Sequence, residues 1–536
     1  MNISNYSLKE LPECFAGNPL SLAYLHDYGS VADFYSVPPE MAAIIRRLES
    51  YPEIAGRREK LAAVLKKNAA RLSRNPQAAG CSEAIKSGKT FVVVTGQQAG
   101  LLGGPLYTVF KAMHAVKLAE HLSLTTDFNV LPVFWIASED HDLQEIDHIH
   151  LVDLDNEARR FHLPVGPPGA GVQFAHFSED PAEFMARLDS AFPETEFKGE
   201  MLGLCRQWLE LPVAASFREM MLWLFRNTPL LLVDPFMLRE LGGPVIADEI
   251  RNPGRNAKLV DIQGAALKDA GFAPPVSLMG KCNLFIYDNG LRLRLDWDGA
   301  NFTEMKSGVT YSQEELLRIL EENPHRFSTN VALRTVAQEF ILPIAAVIAG
   351  AGEVAYFGQF KKLFAAYDME LPVCIPRASI TLVEKKVATK MQKLDFSFSQ
   401  LGDLSRVLQA SLQALRGDTS RRATATQEKI TAEVNNMQSE LLALDGSLQK
   451  WSDKIIDRII RDLSRLAARI GEVEDNSSRR VQADFEYIAN HIYPGHKPQE
   501  RMINILQFLV RHGPDFIDIL MEKIDFKGFD HQVIEI

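Results

Sequence analysis

The chain has 536 residues, a formal net charge of −11 at pH 7, and 46% hydrophobic and 24% charged residues. This length exceeds what one compact core usually holds, so two or three domains are expected, and the composition is that of a globular protein. The negative balance disfavours nucleic acid as a partner, and the apolar runs are shorter than the roughly 20 residues that a membrane span needs.

The location of the protein is predicted from its opening segment and its cysteines. Residues Asn2–Glu13 are polar and of mixed charge, so no secretory signal is expected. Five scattered cysteines with no CxxC spacing are typical of a reducing compartment, which indicates a cytoplasmic protein without a membrane partner. Cys374 lies in the apolar run Leu371–Ile375 and is expected to be a small core residue.

The first informative segment in chain order is Phe91–Leu118, which reads as a buried strand, a glycine-rich loop and a helix opened by Pro105. Glycine permits close backbone approach, and free N–H groups at a helix N-terminus favour an anion. The pattern predicts a loop that holds an anionic group, although tight packing alone also explains such glycines. The residues assigned to ligand binding in this segment are Thr95, Gly96, Gln97, Gln98, Gly100, Gly103, Gly104 and Lys111.

A second apolar run, Val130–Ala137, ends in a cluster of ionisable residues. Ligands of open parallel sheets bind at the carboxyl ends of the strands, so Glu139, His141 and Asp142 are predicted to be catalytic. His141 is the candidate for a general base or a substrate-orienting group, and Glu139 or Asp142 for binding an amine. An acidic surface loop is the plain alternative.

A metal site is a further alternative for the same region, because Glu145, His148 and His150 follow closely. Two histidines two residues apart lie on one face of a strand, which is a workable spacing for zinc. No cysteine joins the cluster and no HExxH sequence occurs, so no metal site is predicted.

Unbroken apolar runs predict the remaining core strands, among them Leu230–Pro235 and Leu342–Ala349. Without polar alternation both faces of such strands are covered, as in a parallel sheet. Three core strands are predicted to begin at a Leu-Pro pair, because proline is tolerated at the first residue of a strand. The proline residues concerned are Pro132, Pro343 and Pro372.

Two segments interrupt this alternation and are predicted to be insertions. Residues 147–192 contain short strands of alternating character, and residues 283–297 form a hairpin around the turn Asp288-Asn289-Gly290. Ser312 and Glu315 have the spacing of a capping box, so a helix is expected to begin there.

A third group of candidate site residues follows the second insertion. Asn330, Arg334 and Gln338 recur at intervals of four, which places them on one helix face. Gly350–Glu353 repeats the strand, glycine and helix arrangement, and Arg377 offers a planar fork that suits a carboxylate. A structural role for Arg377 in capping the sheet is the alternative. The residues assigned to substrate or nucleotide binding in this part are Asn330, Arg334, Gln338, Gly352, Glu353, Tyr356, Arg377 and Ser379.

The chain changes character after Glu384, where apolar residues recur at spacings of four and three. A seam of this kind predicts a coiled coil. Gly446 leaves two structures open, one bent helix or two helices joined by a tight turn, and the helix can also pack within its own chain. The seam residues are Ile430, Val434, Met437, Leu441, Leu444, Leu448, Trp451 and Ile455, then Ile459, Leu463, Leu466, Ile470 and Val473.

Several long motifs resemble one enzyme family, the cysteine ligases of bacillithiol biosynthesis. They are TGQQAGLLGGPLYTVFKA, PVFWIASEDHD, TNVALRTVAQEFILP, GEVAYFGQF, PRASITLVE, YPGHKPQERMIN and the terminal HQVIEI. The resemblance spans nearly the whole chain. It implies that cysteine and glucosaminyl-malate are the substrates and that ATP supplies the energy for the amide bond.

The same resemblance places the core with class I aminoacyl-tRNA synthetase-like nucleotide ligases, which carry a His-x-Gly-His signature after their first strand. The corresponding turn here is Leu101-Leu102-Gly103-Gly104, without either histidine, and the lysine-rich loop of those enzymes is also missing. Both groups stabilise charge on the transferring nucleotide, so the resemblance supports the fold more directly than the use of ATP.

The sequence thus predicts an α/β enzyme with a Rossmann-like parallel sheet, two inserted connecting segments and an α-helical coiled-coil arm. The expected boundaries are 1–384 for the core, 385–490 for the coiled coil, which is expected to form a homodimer, and 491–536 for a C-terminal helical segment that returns to the core. Two alternatives to the ligase are a metal- or carboxylate-assisted hydrolase using Glu139–His150, and a coiled-coil scaffold with a degenerate ligase core.

Overall fold

The structure is a computed structural model, and it describes residues 2–52, 54–278, 282–415 and 419–536. The chain forms two compact units. The first consists of Met1–Leu382 with Lys497–Ile534, and the second of Val383–His496 with Glu535–Ile536. In the described part of the chain, no helix is both long and apolar enough to cross a membrane.

Strands and helices are numbered in chain order over the described residues. Strands β1 to β17 are Ile3–Tyr6, Thr90–Gln97, Asn129–Ile136, His148–Val152, Ala158–His162, Val165–Gly166, His176–Phe177, Leu231–Val233, Leu284–Asp288, Leu291–Trp297, Phe302–Glu304, Thr310–Tyr311, Phe327–Thr329, Ile344–Ala349, Val373–Pro376, Ser379–Val383 and His531–Glu535.

Helices α1 to α23 are Glu13–Ala16, Pro19–His26, Met41–Ser50, Ala55–Lys67, Ala69–Leu72, Cys81–Ala84, Leu106–Thr125, Pro181–Ala191, Lys198–Leu209, Val213–Leu224, Pro235–Arg251, Arg255–Asp269, Gln313–Glu322, Val331–Ile341, Ala351–Gln359, Lys361–Ala365, Lys385–Lys393, Leu404–Leu415, Thr419–Leu444, Gln449–Ile492, Gln499–Met502, Leu506–His512 and Phe516–Lys523.

The core of the first unit is a five-stranded parallel sheet in the order β15-β14-β2-β3-β8. Its strands lack polar alternation because both faces of the sheet are covered. In β2, Val92 and Val94 belong to the hydrophobic cluster on one face, and Phe91 and Val93 belong to the cluster on the other face. The predicted Rossmann-like fold is confirmed. Cys374 on β15 is fully buried, as predicted for a small core residue.

The prediction for Leu-Pro pairs is correct at two strands and wrong at the third. Pro343 and Pro372 directly precede β14 and β15, but Pro132 lies inside β3. On one side Pro132 is in register with Val93 of β2, whereas on the other side pairing with β8 begins only at Val133. Proline is tolerated at this interior position because the ladder on its second side has not yet begun.

The two insertions form separate antiparallel pieces. The first contains the hairpin β4-β5 and the short antiparallel pair β6-β7, and then ends in helix α8. The second forms the sheet β12-β11-β10-β9-β13. Its predicted turn has positive φ at Asn289 (48°) and Gly290 (80°), as a two-residue hairpin requires. The capping box of Ser312 and Glu315 is present at the start of α13.

The C-terminal segment is only partly helical. After α21, α22 and α23 the chain ends in strand β17, which pairs antiparallel with β1 in the three-stranded sheet β1-β17-β16. The prediction of a helical segment missed this strand, because five residues of HQVIE have no turn or partner signal within their own sequence.

The second unit is built around an antiparallel helix pair. Helices α19 and α20 are joined by a tight turn at Asp445–Leu448, so of the two structures left open at Gly446 the chain forms two helices. Gln427 donates to Ser464 at 2.9 Å and Gln438 donates to Asp453 at 2.7 Å, which fixes the antiparallel register. The seam residues Met437, Leu444 and Trp451 are 65%, 86% and 59% exposed.

Candidate active site

A cavity of about 760 Å³ lies at the carboxyl ends of the parallel strands in the first unit. The loops after β2, β3 and β14 line it, together with Arg377 after β15, and this is where open parallel sheets place their ligands. The predicted residues that line the cavity are Gly96, Gln97, Gln98, Lys111, Glu139, Asn330, Arg334, Gly352, Glu353, Tyr356 and Arg377.

Eight predicted residues lie outside the lining, and they are Thr95, Gly100, Gly103, Gly104, His141, Asp142, Gln338 and Ser379. Thr95 donates to Ile348 O at 3.0 Å and so joins β2 to β14. Gln338 is buried in α14, whereas His141 and Asp142 are exposed beside the cavity.

The glycine-rich loop after β2 is shaped by packing within the protein. Gly103 and Gly104 have φ of 84° and 68°, a region that residues with a Cβ rarely adopt. A Cβ on Gly96 would lie 2.7 Å from Trp135 O, so this glycine lets β2 approach β3. Conformation and packing therefore account for these three glycines.

Asn504 holds the same loop from the C-terminal segment. Its fully buried side-chain amide donates to Leu102 O and Gly104 O, both at 2.7 Å, and its Oδ1 accepts from Leu506 N at 2.9 Å. Asn504 lies in a motif that carries the family resemblance, but the sequence indicates no role for it because the residues it contacts are 400 positions earlier in the chain.

The ammonium group of Lys111 is bonded to groups of the protein itself and is not left for a ligand. Its ammonium donates to Gly96 O at 2.9 Å and Gln97 Oε1 at 3.1 Å and forms an ion pair with Glu353. Burial lowers the pKa of Lys111 despite the opposing charge of Glu353. Glu353 Oε2 also accepts from Gly350 N at 2.7 Å, which caps helix α15.

Glu139 is likewise neutralised inside the protein. Its carboxylate forms an ion pair with Arg239 of α11, and both side chains are about 95% buried. Thr329 Oγ1 lies 3.5 Å from Glu139 Oε2. A carboxylate already paired with a buried guanidinium is better suited to organising the loop than to transferring protons.

Arg377 and Ser379 belong to a buried network with the C-terminal segment. The Arg377 fork donates to both oxygens of Glu500, at 2.8 and 2.5 Å, and Ser379 donates to Glu500 at 3.2 Å. His531 lies 2.8 Å from Ser379 Oγ and 2.9 Å from Thr381 Oγ1. The fork predicted for a substrate carboxylate is thus already occupied by Glu500, although Arg377 still lines the cavity.

Two other guanidiniums in the lining have no carboxylate partner among the residues that the structure describes. Arg334 donates only to Tyr356 OH, at 3.2 Å, and Arg501 is exposed at the cavity mouth. Asn330 uses Oδ1 to cap α14 and one N–H to donate to Asn283, which leaves its second N–H available. These groups are able to bind an anionic ligand.

The lining also contains residues that sequence reasoning missed. Asp140 lies between two residues that were predicted, and Arg292 comes from the second insertion. In the strand LRLRLDW, Arg292 and Arg294 are two residues apart and therefore share one face of the strand, but the strand period does not show which face meets the cavity. Arg501 belongs to a motif that carries the family resemblance, and this membership could have marked it as a candidate site residue.

The histidines of the first insertion do not form a metal centre in the described part of the chain. The rings of His148 and His150 are 5.2 Å apart on one strand face, as predicted, and His148 contacts Asp147 at 2.9 Å. No group of three or more His, Cys, Asp or Glu residues among the described residues is arranged to hold a metal ion. The geometry therefore provides no ligand set for the metal-assisted alternative.

Comparison with known families accounts for both units. Residues 1–378 match the family model described as Bacillithiol biosynthesis BshC, N-terminal Rossmann-like domain, and residues 380–536 match Bacillithiol biosynthesis BshC, C-terminal coiled-coil domain. The chain belongs to the BshC family. The predicted family and the predicted class of enzyme, a ligase, are thereby confirmed, and neither the hydrolase nor the scaffold alternative is favoured.

Curated relatives cover the chain almost from end to end. A protein of Symbiobacterium thermophilum is 30% identical over 550 residues, 96% of each chain, and one of Natranaerobius thermophilus is 27% identical over 525 residues, 94% of this chain and 95% of its own. A protein of Bacillus cereus is 28% identical over 85% of this chain and 86% of its own. Each of these BshC relatives bears the name "Putative cysteine ligase BshC".

Replacing Asn504 tests how the loop after β2 is held. Asn504→Ala leaves two buried carbonyl groups and one N–H without their partner, and we expect a loss of about 3 kcal/mol in the free energy of unfolding. Chemical denaturation measures this loss. Asn5→Ala, at an exposed strand residue, is the matched control and should change stability by less than about 0.5 kcal/mol. Equal effects of the two substitutions would contradict the assigned role.

His531 predicts a pH dependence of stability. Burial lowers its pKa to about 4, with Glu500 opposing and Arg377 reinforcing the shift. Below pH 6.5 the unfolded chain gains a proton that the folded chain does not, so stability is lost as the pH falls from 6.5 towards 4. His531→Gln should reduce the slope of unfolding free energy against pH by up to about 1.4 kcal/mol per unit.

Denaturant titrations between pH 7 and pH 4.5 measure the slope for the parent and for His531→Gln. His176→Gln, at an exposed histidine, is the matched control. A slope that is identical in the parent and in His531→Gln would show that His531 does not titrate differently in the folded and unfolded states.

Proposed function

We propose that the protein joins the carboxyl group of L-cysteine to the amine of glucosaminyl-malate, forming the amide of bacillithiol, with ATP as the energy source. The proposal rests on membership of the BshC family and on the names of the relatives. The observation that carries it is a cavity at the strand ends that retains two guanidiniums, those of Arg334 and Arg501, without a carboxylate partner among the described residues.

The malate part of the acceptor has two carboxylates, and two guanidiniums match them in charge and number. Guanidinium binds carboxylate through a planar fork, and such charge-assisted hydrogen bonds are the strong ones. Arg334 and Arg501 are thus assigned to the acceptor, with the free N–H of Asn330 as an additional donor. Lys111 and Arg377 are not assigned to it because Glu353 and Glu500 already pair with them.

The chemistry requires an activated cysteine carboxyl group, because a carboxylate oxygen is a poor leaving group. ATP would transfer to that oxygen either its nucleotidyl group, with release of pyrophosphate, or its terminal phosphoryl group, with release of ADP. The acceptor amine, having lost a proton, then attacks the carbonyl carbon, and AMP or phosphate leaves. The role of the protein in this reaction is to hold both substrates at the strand ends, so that the amine and the carbonyl carbon meet in one orientation.

We also propose a cytoplasmic location and a homodimer through the second unit. All five cysteines are free thiols, which suits a reducing compartment. The helix pair exposes a row of large apolar side chains, and such rows usually mark a protein interface. The exposed residues are Met437, Leu444, Trp451, Ile455, Leu466 and Val473.

The direct test of the reaction is to incubate the pure protein with cysteine, glucosaminyl-malate and ATP. We expect a product whose mass is the sum of the two substrates less one water, with AMP or ADP formed in equal amount. Absence of this product from cysteine and glucosaminyl-malate, while the protein remains folded, would overturn the proposed function.

The assignment of Arg334 is tested with Arg334→Gln. Losing one charge-assisted contact of about 1.5–3 kcal/mol should raise KM for glucosaminyl-malate about 10- to 100-fold. KM for ATP should change little, which separates the malate carboxylates from the phosphates of ATP as the group bound. Arg318→Gln, at an exposed arginine of α13, is the matched control. An increase confined to ATP would reassign Arg334 to the nucleotide.

The dimer is tested by placing charge on the exposed row. Leu444→Asp with Ile455→Asp should give a monomer in sedimentation, because burying unpaired carboxylates in an interface costs several kcal/mol. Both residues are exposed in the single chain, so helix content should be kept. Asn436→Asp with Gln449→Asp adds the same charge at exposed polar positions and should remain dimeric. A parent that sediments as a monomer would contradict the proposed dimer.

A further inference from the structure

Four carboxylates of the described residues line the cavity, and two of them, Glu139 and Glu353, are held in close ion pairs. Glu139 is paired with Arg239 and Glu353 with Lys111. Asp140 is 35% exposed and has only a longer ion pair, 3.7 Å from its Oδ1 to Arg292 Nη1, and Glu145 is exposed on the short turn that follows. The binding of a cation in this cavity therefore falls to Asp140 or Glu145.

Asp140 differs from Glu145 in that its carboxylate has a defined orientation. Gln98 Nε2 donates to Asp140 Oδ2 at 2.7 Å, and the backbone N–H of His141 donates to Oδ1 at 2.8 Å. A carboxylate accepts about four hydrogen bonds, so lone pairs remain for a ligand. Glu145 receives no hydrogen bond from any described side chain or backbone group. Preorganisation favours Asp140 as a binding group.

Arg292 fastens the loop that carries Asp140 to the second insertion. Its side chain is 7% exposed; Nε donates to Ser328 Oγ at 2.8 Å and Nη2 donates to Thr329 O at 2.7 Å. Its Nη1 lies 3.7 Å from Asp140 Oδ1 and 3.0 Å from His141 Nδ1. A guanidinium only donates, so His141 Nδ1 is the acceptor, and Arg292 holds both neighbours in the loop.

The charge state of Asp140 decides which cation it suits. Burial opposes its ionisation, but hydrogen bonds from His141 and Gln98 and the charge of Arg292 outweigh this and hold the pKa of Asp140 well below its usual range. Such a carboxylate is a constant anion and a poor proton acceptor. It fits a cation that keeps its charge throughout the reaction.

The two substrates of the proposed reaction differ in this respect. The acceptor amine must lose a proton before it attacks the activated carboxyl group, whereas the α-ammonium of cysteine takes no part in bond formation. We infer that Asp140 binds the α-ammonium of cysteine, and that Arg292 and Gln98 are positioning residues that orient its carboxylate. This inference rests on the proposed function, since it takes cysteine as a substrate.

The test compares L-cysteine with 3-mercaptopropionate, which has the same thiol and carboxylate but no ammonium group. The parent protein should bind cysteine roughly tenfold or more tightly than 3-mercaptopropionate, as expected for one well-placed charge contact. Asp140→Asn should bind the two compounds with affinities within about twofold of each other. Calorimetry or ligand-observed NMR gives both affinities without any turnover.

A second pair of variants tests the positioning role. Arg292→Gln should also lose the preference for cysteine over 3-mercaptopropionate, a readout that general destabilisation would not produce. Arg294 lies on the same strand, and its side chain has no hydrogen bond or ion pair to any described residue. Arg294→Gln is therefore the control and should keep the preference for cysteine. In turnover assays, Asp140→Asn should raise KM for cysteine while leaving KM for glucosaminyl-malate within about twofold of the parent.

The outcomes separate this inference from the proposed function. If Asp140→Asn retains the parent's preference for cysteine, Asp140 does not bind the ammonium and the inference is overturned while the reaction stands. If the parent binds neither compound, cysteine is not a substrate, and the proposed function is overturned together with the inference. If Arg292→Gln retains the preference that Asp140→Asn loses, the positioning role of Arg292 alone is overturned.

Discussion

The site depends on one constraint, the need to neutralise charge that is buried at the edge of the parallel sheet. A charge taken out of water is costly unless it is paired and hydrogen-bonded. Three cations near the cavity meet this need through carboxylates, in the pairs Lys111–Glu353, Arg239–Glu139 and Arg377–Glu500. Each pair joins distant parts of the chain, so pairing shapes the loops and at the same time withdraws these groups from ligand binding.

The charges left over by this pairing define what the cavity can bind. Arg334 and Arg501 remain as cations, and Asp140 remains as an oriented anion. A cavity with both signs of charge suits a pair of ligands in which one has two carboxylates and the other has an ammonium group. Composition alone could not predict which charges remain for ligands, because a net charge counts paired and unpaired residues in the same way.

Local patterns predicted the elements well because their causes are local. The buried runs of the parallel sheet, the turn at Asn289-Gly290 and the capping box at Ser312 each follow from residues a few positions apart. The partners in the site are not local. Asn504 contacts a loop 400 residues earlier, and Glu500 occupies the fork of Arg377, which the sequence offered equally well to a substrate. Pro132 shows the same limit, since its place in β3 depends on where a neighbouring strand begins.

The residues that distinguish this cavity come largely from outside the sheet. The sheet supplies glycines and short loops at the strand ends, whereas Arg292 comes from the inserted antiparallel sheet and Arg501 from the C-terminal segment. A parallel sheet of this kind supports many chemistries, so its presence identifies a location more than a reaction. The cavity therefore combines groups of the α/β core, such as Asp140 after β3 and Arg334 on α14, with groups of the added segments, and a comparison confined to the sheet would miss the latter.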